Sequence, residues 1–309
     1  MKLCIFLLTV ACFISYADTL KAENISSAIT YELNGGRFGD NLLSYSRAKW
    51  LSYKYGIPVQ VYPFPYSDQL LLSQKEQKLC IDNFKHVVRL SRPDSEIKKD
   101  SNTLYINHWR TKVDINWNDR TFVSQLKEMI APAHDIQKVS IPQGYISVAV
   151  HVRNGGGAAV DNAQEKERCP LRFVPDEFFI AQIERIARMF EGQKLYVYIF
   201  TDHKKPKKLM KKFSEALNDE NIVFDCQQGE NGHKLNVLED FFSMMEFNCL
   251  IRPGSHFSRF VERLGEAQVI IYPESVQQKA GEAPIINVIG IKTRLANGKL
   301  KTEKMRIVE

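Results

Sequence analysis

The segment Ile146-Ser147-Val148-Ala149-Val150-His151-Val152-Arg153-Asn154-Gly155-Gly156-Gly157 gives the clearest indication of the fold. Its apolar, β-branched first half is typical of a buried strand in a parallel sheet, because both faces of such a strand are covered. His151 and Arg153 follow at alternate positions, so both point to the same side of the strand's end. Ligands of open α/β sheets bind beyond the carboxyl ends of the strands. The segment therefore predicts a strand that brings an imidazole and a guanidinium to a binding site.

The rest of the chain alternates between strand-like and helix-like patterns. Apolar runs predict strands at 28–33, 59–62, 104–106, 145–150, 195–200, 222–224 and 269–272. Helical spacing predicts helices at 42–55, 122–130, 175–190, 207–217, 238–248 and 257–264. This alternation predicts an α/β fold with a parallel sheet. The tail from 274 to 309 shows no pattern beyond a hairpin turn at Asn297-Gly298.

Length and composition fit a globular protein of about two domains. The chain has 309 residues, of which 44% are hydrophobic and 25% are charged. These values exclude a fibrous or disordered protein, because such chains lack the apolar residues for a core. Pro-containing segments at 131–133 and 141–144 bracket a linker. We therefore predict one domain over residues 18–143 and a second over residues 144–309.

The charge balance is mildly positive. The chain has 42 basic and 36 acidic residues, a formal net charge of +6. Such an excess suits a phosphate-bearing ligand and falls short of what a dedicated nucleic-acid-binding protein carries. We therefore expect no nucleic-acid partner.

The first 17 residues are typical of a cleavable signal peptide. Lys2 precedes an apolar run over 3–17, and Ser15-Tyr16-Ala17 supplies small residues at the cleavage positions. An uncleaved anchor is the alternative, although the run is shorter than the ~20 residues that span a membrane. We expect a protein of the secretory-pathway lumen or a secreted protein, with no stable membrane span after cleavage.

Four cysteines remain after the signal peptide. Cys80, Cys169, Cys226 and Cys249 are an even number that an oxidising compartment allows to pair in three ways. Four buried free thiols are the alternative interpretation. No C-x-x-C spacing occurs among them, so the sequence does not predict a zinc or redox site.

Three further strand ends or helix starts have unusual residues. The loop Gly35-Gly36-Arg37-Phe38-Gly39-Asp40-Asn41 precedes a helix, where free N–H groups attract an anion, although a tight turn alone also needs glycine. Asp202 follows a strand and either binds a nucleoside or caps the next helix. In Gly254-Ser255-His256-Phe257-Ser258, the hydroxyl groups and backbone amides suit a pyrophosphate, and Ser255 also suits an N-cap.

The order and spacing of four segments resemble the superfamily of fucosyltransferases that use GDP-fucose. It includes α1,2-, α1,6- and protein O-fucosyltransferases. The matching segments are Gly36 to Asn41, Val148 to Arg153, Phe200-Thr201-Asp202 and Asp240 to Ser258. Each segment is short, so the specificity lies in their order, which covers most of residues 29–272.

This resemblance implies a GT-B-like fold of two facing Rossmann-like α/β domains, the first on the acceptor side and the second binding the GDP-sugar. It implies an inverting transfer of fucose to a glycan or glycoprotein hydroxyl, without a metal ion or a cofactor other than the donor substrate. Arg153 takes the catalytic role at the β-phosphate. The residues that resemblance and position assign to the donor are Gly36, Gly39, Asp40, Asn41, His151, Asp202, Ser255, His256, Phe257 and Ser258.

The chain also departs from the family pattern. The α1,2 enzymes usually have an acidic residue soon after the H-x-R motif, where this chain has Asn154-Gly155-Gly156. Asp161 lies about where some α1,6 relatives have a carboxylate near the acceptor, and it is our candidate base; an exposed loop aspartate is the alternative. His256 replaces a common serine. The departures leave a second hypothesis open, a secreted carbohydrate- or nucleotide-binding protein that has lost transfer activity.

Overall fold

The computed structural model describes residues 27–92, 97–99, 101–154, 168–277 and 285–307. Within these ranges it is a mixed α/β protein with two main sheets, which confirms the predicted fold class at this level. The division at residues 143 and 144 and the GT-B-like arrangement stay predictions. In the described part of the chain, no helix is both long and apolar enough to cross a membrane.

The first sheet has three parallel strands in the order β1-β5-β4. They are β1 (Ala28–Tyr31), β4 (His86–Leu90) and β5 (Thr103–Asn107). The short strands β2 (Gln60–Val61) and β3 (Gln77–Lys78) pair in parallel beside them. The helices of this part are α1 (Phe38–Tyr55), α2 (Leu72–Lys75) and α3 (Arg120–Ile130), with 3₁₀ turns at Ser67–Gln69 and Ile81–Asn83.

Local signals explain the ends of α1 and α3. Helix α1 ends where Gly56 adopts a left-handed conformation with φ +64°, and its N–H donates to the carbonyl of Ser52 at 2.8 Å. This cap favours glycine because a Cβ is strained there. Helix α3 begins after Asp119, whose carboxylate accepts from the backbone N–H of Phe122 at 3.0 Å.

The second sheet has seven strands in the order β12-β11-β10-β9-β6-β7-β8. Strands β6 to β10 are parallel, and β11 and β12 add to β10 as an antiparallel meander. The strands are β6 (Tyr145–Val152), β7 (Lys194–Thr201), β8 (Ile222–Cys226), β9 (Cys249–Ile251), β10 (Val269–Gln277), β11 (Ile285–Arg294) and β12 (Leu300–Arg306). The helices of this part are α4 (Asp176–Met189), α5 (Pro206–Leu217), α6 (Val237–Met244) and α7 (His256–Leu264).

Strand β6 divides its side chains between two hydrophobic cores. Val148, Val150 and Val152 belong to the core that includes α4 residues, whereas Ala149 belongs to the core shared with α1, α6 and α7. Side chains of a strand alternate between its faces. His151 therefore lies on the same face as Ala149, the side that α1 and α7 cover.

Several sequence predictions needed correction. The tail beyond 274 is not structureless, since two of its segments extend the sheet and Asn297-Gly298 lies in the turn between them. The helix predicted to reach Asn248 ends at Met244, because the chain must become extended to enter β9 in the sheet. Cys80, Cys169, Cys226 and Cys249 are free thiols, which agrees with one of the two interpretations, but Cys80 is exposed and Cys169 is half-buried, so the four are not all buried.

Candidate active site

The two side chains at the end of β6 enter one cavity. His151 is buried, and its ring lies against that of Phe257 with centroids 5.5 Å apart. The guanidinium of Arg153 lies over the ring of Phe173, 5.8 Å from its centroid. Both residues line a cavity of 470 Å³, as their alternation along the strand predicted.

Three residues of this cavity have buried polar atoms without a hydrogen-bond partner among the residues that the structure describes. These atoms are Nδ1 of His151, Nε of Arg153 and Oγ of Ser255. Buried polar groups in proteins are nearly always paired, and an orphan group calls for an explanation. Ser255 occupies the N-cap position of α7, yet its side chain makes no capping bond. The sequence-based interpretation of Ser255 as a helix cap is therefore wrong, because its hydroxyl is not bonded to the helix.

Burial sets the charge of this pair. It lowers the pKa of His151 far below 6.5, and the positive charge of Arg153 adds to the effect, although Asp202 opposes it. The imidazole is therefore neutral at pH 7. Burial and the charges of Arg37 and Arg172 lower the pKa of Arg153 to about 10, so the guanidinium stays charged. The site presents a partly desolvated cation beside a neutral donor and acceptor.

The glycine loop brings the first turn of α1 against the first turn of α7. Gly36 donates its N–H to the side-chain oxygen of Asn34 at 2.8 Å, and Gly35 has φ +74°. A Cβ on Gly39 would lie 2.4 Å from the backbone nitrogen of Phe257. Glycine at 39 is therefore required by a close contact between two helix N-termini.

An acidic residue at each side of the cavity is already engaged. Nδ1 of His256 lies 2.7 Å from Oδ1 of Asp40. Burial raises the pKa of Asp40, but the hydrogen bond to His256 and nearby positive charges outweigh it, so the pKa falls below 3.8. Asp202 accepts from Nη1 of Arg37 at 3.0 Å and from the backbone N–H of Asn154 at 2.7 Å. Helix α5 begins after Lys205, so Asp202 is not its N-cap.

The cavity collects most of the predicted site residues but not all of them. Those that line it are Gly36, Gly39, Asp40, His151, Arg153, Asp202, Ser255, His256 and Phe257. Asn41 and Ser258 were predicted to contact the donor. Both are buried and do not line the cavity, because their positions in the first turns of α1 and α7 face the packed core. Asp161 lies outside the described residues.

Sequence reasoning gave no role to several residues of the cavity, among them Tyr66, Arg172 and Asp240. Asp240 lies in the first turn of α6, and burial, with a contribution from the charge of Glu239, raises its pKa to about 8. In the sequence, Asp240 is the first residue of one of the four segments that resemble the fucosyltransferases, but that resemblance gave it no role in the site. Arg172 follows no recognisable motif, and only the fold brings it to the cavity.

No group of three or more His, Cys, Asp or Glu side chains in the described ranges has a metal-binding arrangement. Two ion pairs form between residues that line the cavity, His256 with Asp40 and Arg37 with Asp202, and they engage both of its ionised carboxylates. The chemistry available to a ligand is therefore that of cations, backbone N–H groups and neutral hydrogen-bonding side chains.

Solved structures match this architecture. A variant of FUT1 from Arabidopsis thaliana in complex with GDP aligns over 81% of this chain and 72% of its own, with a TM-score of 0.50 and 10% identity. The chain has a fucosyltransferase-like fold. The α-1,6-fucosyltransferase NodZ co-crystallised with GDP aligns over 80% of this chain and 94% of its own, with a TM-score of 0.44 and 13% identity. NodZ from Bradyrhizobium gives a TM-score of 0.40 at 13% identity, over 81% of this chain and 96% of its own.

No protein-family model and no curated protein sequence matches the chain. The fucosyltransferase-like fold is therefore supported by the tertiary structure and by the order of short motifs, which are placed on β6, β7 and the turns before α1 and α7. These are the elements whose ends form the cavity.

Proposed function

We propose that the protein is a glycosyltransferase that moves fucose from GDP-fucose to a hydroxyl of a glycan or glycoprotein. The observation that carries the proposal is the convergence of unpaired buried polar atoms of His151, Arg153 and Ser255 on one cavity. A phosphate-bearing ligand provides acceptors for all three. The fold of the neighbours, which bind GDP in their structures, supports the donor class.

In this proposal Arg153 stabilises the departing GDP. Departure leaves negative charge on the β-phosphate, and a guanidinium there stabilises the transition state more than the ground state. Partial burial strengthens this interaction, since the effective dielectric around Arg153 is lower than in water. Arg172 also lines the cavity and adds a second cation to it.

The first turn of α7 would hold the pyrophosphate. Its free N–H groups carry the positive end of the helix dipole, and Ser255 adds a hydroxyl donor. His256, fixed by Asp40, contributes a ring nitrogen to the same region. His151 and Asp202 would contact the nucleoside, and the glycine loop would close over the donor.

We further propose that the transfer inverts the configuration at the fucose carbon without a metal ion, in the secretory-pathway lumen or outside the cell. Asp161 is the candidate base that takes the proton of the acceptor hydroxyl. This assignment comes from the sequence resemblance alone.

A binding protein without transfer activity is the second candidate function. It is favoured by the acidic side chains that line the described cavity, none of which is an uncommitted carboxylate. Asp40 bonds His256, Asp202 bonds Arg37, and the pKa of Asp240 is raised to about 8 by burial, so it is largely protonated at pH 7. A base would then have to come from elsewhere in the chain.

Calorimetry with GDP and with GDP-fucose separates these functions from an unrelated one. Saturable binding of GDP supports both candidates, and no binding of either nucleotide contradicts both. Hydrolysis of GDP-fucose by the wild-type protein then supports the transferase.

Arg153→Ala should lower this hydrolysis by about 10²- to 10³-fold, as the loss of one transition-state donor does elsewhere. Arg153→Lys should also be poor, since an ammonium does not reproduce the fork of a guanidinium. Arg188→Ala is the matched control, because Arg188 is exposed and pairs only with Glu184 on its own helix. Hydrolysis unaffected by Arg153→Ala would refute the role given to Arg153.

A further inference from the structure

A second cavity, of 960 Å³, lies on the far side of α7 from the candidate active site. Its walls come from three places: the start of α3, the second half of α7, and the meander of β10 to β12. It shares no lining residue with the first cavity. Its volume lies within the range of pockets that hold small molecules.

The second cavity is strongly basic. Eight of its lining side chains are Lys or Arg, and two are Glu. The resulting excess equals the formal net charge of +6 of the whole chain. The first cavity is lined by four Lys or Arg and three Asp, of which Asp240 is largely protonated at pH 7, so its excess is about two positive charges. The second cavity is therefore the more basic of the two.

The side chains of two arginines in the second cavity have no ion-pair or hydrogen-bond partner in the described part of the chain. These are Arg259 and Arg263. They are four residues apart on α7, where like charges destabilise a helix. Arg259 is exposed, whereas Arg263 is largely enclosed and lies over the ring of Trp117 at 3.9 Å from its centroid.

The charged groups next to these two arginines also carry a net positive charge. The buried Glu262 bonds both Arg252 and Lys292, so this group of three carries one net positive charge. Burial is the main cause that lowers the pKa of Arg263 to about 10; the charge of Glu262 opposes it, and the charges of Arg259 and Arg252 add to it. The group of Arg252, Glu262 and Lys292 therefore adds one positive charge to this side of the cavity.

The geometry points to a binding site for a small ligand that carries two or more phosphate or sulfate groups. A guanidinium offers a planar fork of donors that fits these oxyanions. Cations face the cavity from α3, from α7 and from the meander. Glu262 and Glu266 cannot neutralise all eight of them, so a ligand with a single charge would leave most of the positive excess uncompensated. The concave shape and enclosed arginine favour a compact anion over a nucleic-acid strand, which needs an open stripe of charge.

The test titrates the full-length protein with pyrophosphate and, separately, with a disulfated disaccharide, by calorimetry and by tryptophan fluorescence at constant ionic strength. We expect saturable binding of at least one probe, and which of them binds distinguishes a phosphate from a sulfated-sugar ligand. Binding should weaken as salt is added. It should change the emission of Trp117, and Trp117→Phe should remove that change.

Arg259→Gln and Arg263→Gln should each weaken binding about tenfold, the loss expected for one charge-assisted hydrogen bond. Arg259→Gln should fold as the wild type does, because Arg259 is exposed and its side chain has no described partner to lose. A loss of binding in this variant is then not due to misfolding. Arg188→Gln is the control of equal charge change, and it should bind as the wild type does. Pyrophosphate also suits the first cavity, so Arg153→Gln is measured as well and should keep the component that depends on Arg259.

Three outcomes would overturn the proposal: no binding of either probe, equal affinity of Arg259→Gln and the wild type, or an equal loss in Arg188→Gln. Binding of duplex DNA alone would also overturn it, in favour of a nucleic-acid surface. Because the assay does not use GDP-fucose, its result is independent of the proposed transfer activity.

Discussion

His256 donates a hydrogen bond from Nδ1 to Oδ1 of Asp40 at 2.7 Å, and this pair joins the first turns of α7 and α1. An ionised carboxylate only accepts hydrogen bonds, so the proton of the pair lies on Nδ1. Nε2 is then the ring nitrogen that remains for a ligand of the cavity. The pair therefore both links two helices that are 216 residues apart in sequence and orients an imidazole.

The strength of this link can be measured with a double-mutant cycle. Asp40→Ala, His256→Ala and the double variant should give a coupling energy of about 1 kcal/mol in the free energy of unfolding, from chemical denaturation. The value is modest because the side chains are 30% and 35% exposed. Additive single-variant effects would mean that the contact does not stabilise the protein.

Gly39→Ala should destabilise the protein by about 1 to 3 kcal/mol, the range for overpacking a rigid contact. The new Cβ would lie 2.4 Å from the backbone nitrogen of Phe257 and 2.8 Å from its Cα, and backbone cannot move aside as a flexible side chain does. Gly232→Ala is the matched control, since a Cβ there meets no atom within 4 Å. Equal denaturation midpoints for the two variants would show that α1 and α7 separate easily.

Most of the parallel strands were predictable because their signals are local, although β3, β4 and β9 were not predicted. The apolar run before His151 and the glycine that ends α1 at residue 56 each determine a structure within a few residues. The meander formed by β11 and β12 was not predicted. Its register depends on pairing with β10, and six of the seven residues of β12 are exposed, so no apolar alternation marks the strand.

The candidate site was predictable only in part for the same reason. His151 and Arg153 lie in one strand, so their spacing alone places them together. Arg172 and Tyr66 reach the cavity only through the tertiary fold. Ser258 does not line the cavity, because it is fully buried in the core, and its spacing from Ser255 gave no sign of this.

Asp240 should make the protein less stable as the pH rises from about 4 to about 8. Its pKa is raised to about 8 in the folded protein and is near 3.8 when unfolded, so between these values the folded state holds one more proton. Stability falls with pH wherever the folded state binds more protons, by up to about 1.4 kcal/mol per pH unit.

Asp240→Asn has no carboxyl proton at this position, so its free energy of unfolding should depend less on pH than that of the wild type. Urea denaturation of the wild type and the variant at pH 5, 6, 7 and 8 measures it, since all other titrating groups cancel in the difference. The free energy of unfolding of the variant, relative to that of the wild type, should rise at each step up in pH. A constant difference across the series would mean that Asp240 ionises normally in the folded protein.

Glu262→Gln should destabilise the protein by about 3 to 5 kcal/mol, because it leaves the charge of Arg252 buried without a counter-charge. Glu262 and Arg252 are 5% and 4% exposed, and Nε of Arg252 donates to Oε2 of Glu262 at 2.5 Å. The hydrogen bond from Arg252 to the carbonyl of Pro253 and the contact with the ring of Tyr272 do not replace the lost charge.

Glu184→Gln is the matched control, since Glu184 pairs with Arg188 on an exposed helix face and should change little. The double variant Arg252→Met with Glu262→Leu separates the cost of an unpaired charge from the value of the ion pair. Apolar replacements of similar size often match a buried pair in stability. Recovery of most of the lost stability would show that the main role of each residue of the pair is to neutralise the buried charge of the other. No recovery would show that the hydrogen bonds of the pair and its contact with Lys292 stabilise the packing of α7 against β11.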